Sequence, residues 1–180
     1  MVRPENVVLF GDIRVSVLAD RLFRIERDEN KVFCDEATEA VWFRDMPPVP
    51  FTVSETDGGV DIVTQRVTLA VRENFEESYV LIDGEKKSLD NEVNLHGTYS
   101  TLDRCEGDKY LDTDGKTVLR KIELDNGVAS TSGVAVLDYT KSSVLKTDGM
   151  IHKERNDSMD IYVFAYGHDY RAAVQAFYMI

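Results

Sequence analysis

Arg66-Val67-Thr68-Leu69-Ala70-Val71-Arg72 sets Val67, Leu69 and Val71 on one side of an extended chain and Arg66, Thr68 and Arg72 on the other. Side chains alternate across a strand, so a period of two predicts a sheet that packs one face and wets the other. Working outward, residues 13–17, 22–25, 60–63, 79–82, 118–124, 134–136 and 161–166 are likewise short and rich in β-branched or aromatic residues. Asp57-Gly58, Asp83-Gly84, Asp114-Gly115, Asn126-Gly127 and Asp148-Gly149 fall between such segments, and each pair tolerates the positive φ that a hairpin turn needs. Together they predict an antiparallel all-β protein, and so many strands predict a sandwich of two sheets.

The bulk numbers agree with that reading. A chain of 180 residues is long enough for one core burying about 70% of its unfolded surface, and short for two ordinary domains. With 43% hydrophobic and 30% charged residues it has a globular balance, and no apolar run approaches the ~20 residues of a membrane helix. A net charge of −12 repels phosphate backbones and anionic lipid surfaces, which argues against nucleic acid and membrane partners. The apolar run at 7–10 is too brief for a secretory leader, so the expected setting is cytoplasmic. Cys34 and Cys105 lie far apart without ligand-spaced neighbours, so reduced thiols and no structural metal are expected.

Only the C-terminus reads as helix. Asp169 is placed to cap free amides, and Tyr170, Ala173, Val174 and Phe177 recur at helical spacing. The apolar end Tyr178-Met179-Ile180 leads to the expectation that the polypeptide continues. It also leads to the expectation that this fragment pairs as a homodimer through its Tyr170, Val174, Phe177 and Tyr178 stripe.

The common catalytic signatures are absent: no nucleophile elbow, no phosphate loop, no His-Glu-x-x-His. His96, His152 and His168 have no Ser, Cys or second His at a spacing that would recruit them. Asp83, Asp114, Asp125 and Asp148 read as turn residues, and Glu73, Glu76 and Glu77 as a solvated edge. The stretch Asn94-Leu95-His96-Gly97-Thr98-Tyr99-Ser100-Thr101-Leu102-Asp103-Arg104 is the most informative loop. It joins polar, aromatic and charged groups of the kind that hold sugar hydroxyls and C–H faces, and it reads equally as a long connection at a sheet rim.

Four stretches resemble the N-terminal β-sandwich domain of glycoside hydrolase family 31, the α-glucosidase and α-xylosidase family. Arg14-Val-Ser-Val-Leu-Ala-Asp-Arg-Leu-Phe-Arg-Ile25 is similar to that domain's opening strand pair. Asn94-Leu-His-Gly-Thr-Tyr-Ser-Thr-Leu-Asp103 resembles its Asn-Leu-Gly-Gly-Thr-x-Arg-Thr-Leu-Asp loop, with His96 and Ser100 departing from it. Ser130-Thr-Ser-Gly-Val-Ala-Val-Leu-Asp138 resembles a Ser-x-x-Gly-x-x-x-x-Asp strand. Residues 162–178, from Tyr-Val-Phe-Ala-Tyr-Gly-His-Asp to Ala-Phe-Tyr, are similar to the strand and helix that lead into the family's catalytic barrel.

The resemblance implies a galactose-mutarotase-like sandwich over residues 1–166 and a helix over 167–180 leading to a (β/α)8 barrel. It implies an α-glycoside substrate for the whole enzyme, no cofactor, and no catalytic residue in this chain. The family's Trp-x-Asp-Met-Asn-Glu nucleophile motif is absent, and Trp42-Phe43-Arg44-Asp45-Met46-Pro47 only looks like it. By resemblance, Thr101, Leu102, Asp103 and Arg104 would lend the substrate pocket a loop, Asp103 accepting from hydroxyls and Arg104 donating to a sugar oxygen or orienting Asp103. Trp42 reads as a core or rim residue. Two other classes stay open: a stand-alone carbohydrate-binding module with an aromatic platform such as Tyr99, Tyr110 or Trp42, and an aldose epimerase, which needs a buried facing His and Glu.

Overall fold

The computed structural model describes residues 2–38, 40–89, 93–98, 109–119, 124–152 and 158–180, with Lys109, Tyr110 and Leu119 described by backbone only. In chain order the strands are β1 (Val7–Phe10), β2 (Ile13–Ala19), β3 (Leu22–Arg27), β4 (Ala37–Thr38), β5 (Phe51–Thr56), β6 (Gly59–Thr64), β7 (Val67–Arg72), β8 (Tyr79–Ile82) and β9 (Glu85–Ser88). They continue with β10 (Asn94–His96), β11 (Lys109–Leu111), β12 (Thr117–Leu119), β13 (Asn126–Ser130), β14 (Ala135–Asp138), β15 (Val144–Leu145), β16 (Ile151–His152) and β17 (Met159–Phe164). One helix, α1 (Tyr170–Phe177), follows.

Two antiparallel five-stranded sheets make the sandwich expected from the sequence: β1-β2-β3-β17-β14 and β5-β6-β7-β8-β9. The second is a plain meander in which Val60 faces Val71 and Leu69 faces Val80 across neighbouring strands. Its inward side chains meet Ile13, Val15, Val17, Phe23, Ile25, Ile161 and Val163 of the first sheet in one core. Each fully buried side chain of this size contributes about 1.5–3 kcal/mol.

The outer face of the first sheet is covered except at its edge strand, where Leu9 is exposed. That face carries Leu18, Leu22, Leu137, Tyr162 and Phe164, which pack under Val41, Met46, Ala173, Ala176, Phe177 and Ile180. A strap, residues 31–49, and helix α1 therefore cover the face that alternation alone would leave to solvent. Asn6, wholly buried, anchors the strap by donating to the carbonyls of Met46 and Pro47 and accepting from the Val49 amide. Short pairings of β15 with β4 and β16 close the margin.

Most of the expected turns form. Asp83 (φ 52°) and Gly84 (φ 81°) both occupy the left-handed region, the signature of a two-residue primed turn joining β8 to β9. Asn126-Gly127 is a correction: it lies inside β13 with Asn126 opposite His96, where glycine serves close packing rather than chain reversal. The expected strand 118–124 starts in β12 and runs into residues 120–123, outside the described ones. The expected Ser130-to-Asp138 strand is in fact strand, turn and strand, because Gly133 turns the chain at φ 92°.

The helix is capped as expected, with the Asp169 carboxylate accepting from the Ala172 amide at 3.1 Å. Its buried stripe is rotated from the one expected. Ala173, Ala176, Phe177 and Ile180 face the core, while Tyr170 is exposed and Val174 half-buried, because the first sheet sets which side is covered. Phe177 packs against Phe164 with ring centroids 6.3 Å apart, so it is unavailable for the pairing expected of an uncovered stripe. Among the described residues, no helix is long and apolar enough to cross a membrane.

Candidate functional site

Residues 94–98, the stem with which the motif of the expected substrate loop begins, are held firmly on the sandwich. Asn94 is buried, and its carboxamide donates to the carbonyls of Val136 (2.9 Å) and Gly127 (3.1 Å) and accepts from the Val136 amide. One side chain thus joins β10 and β13 to the free edge of β14, satisfying backbone groups that would otherwise be stranded. The Gly97 amide donates to the Asp125 carbonyl at 2.9 Å, and His96 Nδ1 lies 2.7 Å from the Leu124 carbonyl oxygen. A Cβ on Gly127 would collide with Thr98 Oγ1 and with the Leu95 carbonyl, so residues 95–98 are seated on a bare strand.

The expected substrate-binding residues Thr101, Leu102, Asp103 and Arg104 lie outside the described ones, as do Tyr99 and the Tyr110 side chain. Of the described motif positions 94–98, Asn94, His96 and Thr98 direct side-chain polar groups to the main chain.

Beside the stem, two further stretches converge. The Gly167 amide donates to the Gly133 carbonyl at 2.9 Å, and a Cβ on Gly133 would lie 3.0 Å from Gly167 Cα. His168 Nε2 sits 3.2 Å from the Thr131 carbonyl oxygen. Ser132, through its amide, reaches Ser130 Oγ and holds the intervening turn. The start of the C-terminal helix is thereby fixed against the β13–β14 turn.

Sequence reasoning missed a buried cluster of charges among the described residues. On the covered face of the first sheet, Arg24 donates to both Asp160 oxygens at 2.8 Å and pairs with Glu26 at 3.1 Å. Arg14 pairs with Glu26 at 2.7 Å and with Asp35 at 3.0 Å. Both guanidinium groups also donate to the Cys34 carbonyl, while the Cys34 amide donates to Glu26. Arg44 donates to the Tyr162 hydroxyl and to the Glu36 carbonyl, each at 2.7 Å.

Burial opposes the charge on Arg14 and Arg24, but the carboxylates of Glu26, Asp35 and Asp160 outweigh it and raise both guanidinium pKa values. Burial raises the Tyr162 phenol against the pull of Arg24 and Arg44. With their oxygens held by arginines, Glu26 and Asp160 have no geometry for general acid or base work. The cluster is a clamp on the strap. Its sequence signal, charges alternating with β-branched residues in 13–17 and 22–27, is that of a wet face, and only the strap shows otherwise.

The remaining candidates are also internally satisfied. His152 Nε2 lies 3.0 Å from Asp148, whose carboxylate is held low by the Met150 amide and by His152. A polar cleft of about 560 Å³ is lined by Asp12, Arg27, Asp28, Asn30 and Ser158. In it Arg27 pairs with Asp12 at 2.8 Å, and Asp28 accepts from the amides of Asn30 and Val32. Among the described residues no group of three or more His, Cys, Asp or Glu is arranged to hold a metal ion.

No protein-family model matches the chain, and no curated protein matches it. Solved structures do resemble it in chain course. A GH31 α-xylosidase from a soil metagenome, complexed with xylose, aligns at TM-score 0.41 and 11% identity over 91% of this chain and 31% of its own. A GH31 α-xylosidase from Xanthomonas citri aligns at TM-score 0.37 and 14% identity over 81% of this chain and 17% of its own. The chain therefore spans less than a third of either neighbour.

Proposed function

We propose that this chain is the non-catalytic N-terminal β-sandwich domain of a retaining α-glycosidase of family 31. In this reading residues 1–166 form the sandwich, and 167–180 lead to a barrel that hydrolyses α-glucosides or α-xylosides. The domain braces the barrel and lends the pocket a loop carrying Thr101, Leu102, Asp103 and Arg104. Carbohydrate substrate and barrel are its partners, and the free thiol of Cys34 suits a reducing, cytoplasmic setting.

One observation carries the proposal. Parts of three stretches whose sequences resemble the family, residues 94–98 of 94–103, residues 130–138 and residues 162–178, meet at one rim through the Asn94–Val136, Gly133–Gly167 and Thr131–His168 contacts. Loop stem and helix start are thus braced together, as a domain shaping a neighbouring active site requires. Glycoside cleavage needs two carboxyls about 5–10 Å apart across the bond, and among the described residues the buried carboxylates Glu26 and Asp160 are committed to arginines and Asp28 to main-chain amides.

Two measurements test it. Aryl α-glucosides and α-xylosides incubated with the 180-residue chain should show no rate above buffer. The encoded polypeptide should also carry a barrel with Trp-x-Asp-Met-Asn-Glu. Turnover abolished by one Asp or Glu substitution in this chain, or an encoded protein without that barrel, would overturn the proposal.

A further inference from the structure

Four strands end the two large sheets, and three of them carry a device against further pairing. The free edge of β14 is met by the Asn94 carboxamide, which takes up the Val136 amide and carbonyl. Strand β9 carries Lys86 and Lys87, and β1 has only four residues. Strand β5 has none of these. Phe51-Thr-Val-Ser-Glu-Thr56 runs in unbroken register with β6, holds no lysine or proline, and is exposed from Thr52 to Thr56. A groove of about 600 Å³ lined by Val49, Phe51, Thr52 and Val63 opens beside its first residues. Helix α1 and Ile180 lie elsewhere, packed on the outer face of the first sheet in a cluster that contains no residue of β5–β9.

The hairpin register shows which main-chain groups of β5 are free. Thr56 and Gly59 flank a two-residue turn and so bond each other, and bonding then alternates along the pair. Thr56, Ser54 and Thr52 spend amide and carbonyl on Gly59, Asp61 and Val63, while Phe51, Val53 and Glu55 point theirs outward. An incoming strand therefore meets three evenly spaced donor–acceptor pairs centred on Val53.

We propose that β5 pairs antiparallel with β5 of a second copy about a twofold axis at Val53, joining the two meander sheets edge to edge. In that register all three outward residues bond, Val53 to Val53 of the other copy and Phe51 to Glu55 in both directions; a slip of two places loses a bonded pair. The side chains agree: Val meets Val at the axis, and Thr52 meets Ser54 hydroxyl to hydroxyl. The two Glu55 carboxylates fall about 14 Å apart along the strands, beyond the ~8 Å screening length at physiological salt. The inference is independent of the glycosidase reading. One strand pairing is a small interface, so the dimer is weak, with a dissociation constant on the order of 100 µM, and salt strengthens it against a net charge of −12 per chain.

Sedimentation equilibrium of the 180-residue chain should show one chain passing to two between about 10 µM and 1 mM. Amide exchange at Val53 and Glu55 should slow over that range, while Thr52 and Ser54 stay protected throughout. Val53→Pro removes an amide hydrogen that β6 does not use, so it should weaken association at least about tenfold with native circular dichroism. Val53→Lys and Val53→Glu, which keep that amide, should each stay monomeric, and their equimolar mixture should dimerise because opposite charges then meet at the axis. Wild type that remains one chain at about 1 mM, a dimer that persists in Val53→Lys, or a mixture no tighter than either variant alone would each overturn the proposal. Assembly that grows beyond two chains would overturn it as well, since a twofold pairing closes on itself.

Discussion

Arg24 holds Asp160 by two parallel hydrogen bonds of 2.8 Å across the β3–β17 pairing, with both side chains sealed from solvent. Bidentate geometry in a dry site makes the pair strong only while both charges remain. Asp160→Asn should therefore cost about 3–5 kcal/mol in denaturant unfolding. A double-mutant cycle with Arg24→Met should show coupling of at least about 1 kcal/mol, and simple additivity would contradict the clamp.

Gly127→Ala tests the loop stem. The added methyl meets Thr98 Oγ1 and the Leu95 carbonyl, so it should destabilise by about 1–3 kcal/mol. Adding Thr98→Ala relieves only the side-chain clash and should recover part of the loss. Full recovery would mean that the Leu95 main chain shifts freely and that the stem is not rigid.

Phe177 is a core residue by position. Phe177→Ala should lower stability by about 3–5 kcal/mol, and Phe177→Asp should prevent folding, since its carboxylate would be buried against Phe164. Circular dichroism of the purified variants reads both. A folded Phe177→Asp with only its association altered would restore the uncovered-stripe reading.

Alkaline titration should find late phenols. Burial pushes Tyr166 up to about 12 even with the Arg21 guanidinium 4.4 Å from its ring. A phenol whose pKa is raised in the folded state stabilises fully below the ordinary value near 10, and loses that contribution as pH rises toward the folded value. Absorbance at alkaline pH should show a step near 12 that disappears in Tyr166→Phe. A single step at the ordinary phenol value in the native protein would contradict the burial.

Acid works with the opposite sign at Asp12. The hydrogen bond from Arg27 holds this carboxyl below its ordinary value, so its stabilisation is present above that value and lost as pH falls through the lowered one. Asp12→Asn should flatten the acid limb of the stability curve by under about 1 kcal/mol, because the pair is partly solvated. An unchanged limb would show that Arg27 finds another partner.

The period-two patterning of 66–72, the Asp-Gly turns and the Asp169 cap determined by themselves that this chain forms antiparallel sheets closed by a helix, because backbone geometry and local turn chemistry need only neighbours in sequence. Alternation in 13–17 and 22–27 was equally legible, yet it cannot say what covers each face. Arg14, Arg24 and Glu26 are dry only because the strap and Asp160, 136 residues from Arg24, enclose them. Asn126-Gly127 shows the same limit: its composition is that of a turn, and only the approach of Leu95 and Thr98 shows why a side chain is excluded there. The loop stem was legible as a motif but not as a mechanism, since Asn94 acts on Val136, 42 residues away. Which face is dry, which glycine is for packing and which carboxylates are bound to arginine depend on contacts between distant segments, and those exist only once the chain has folded.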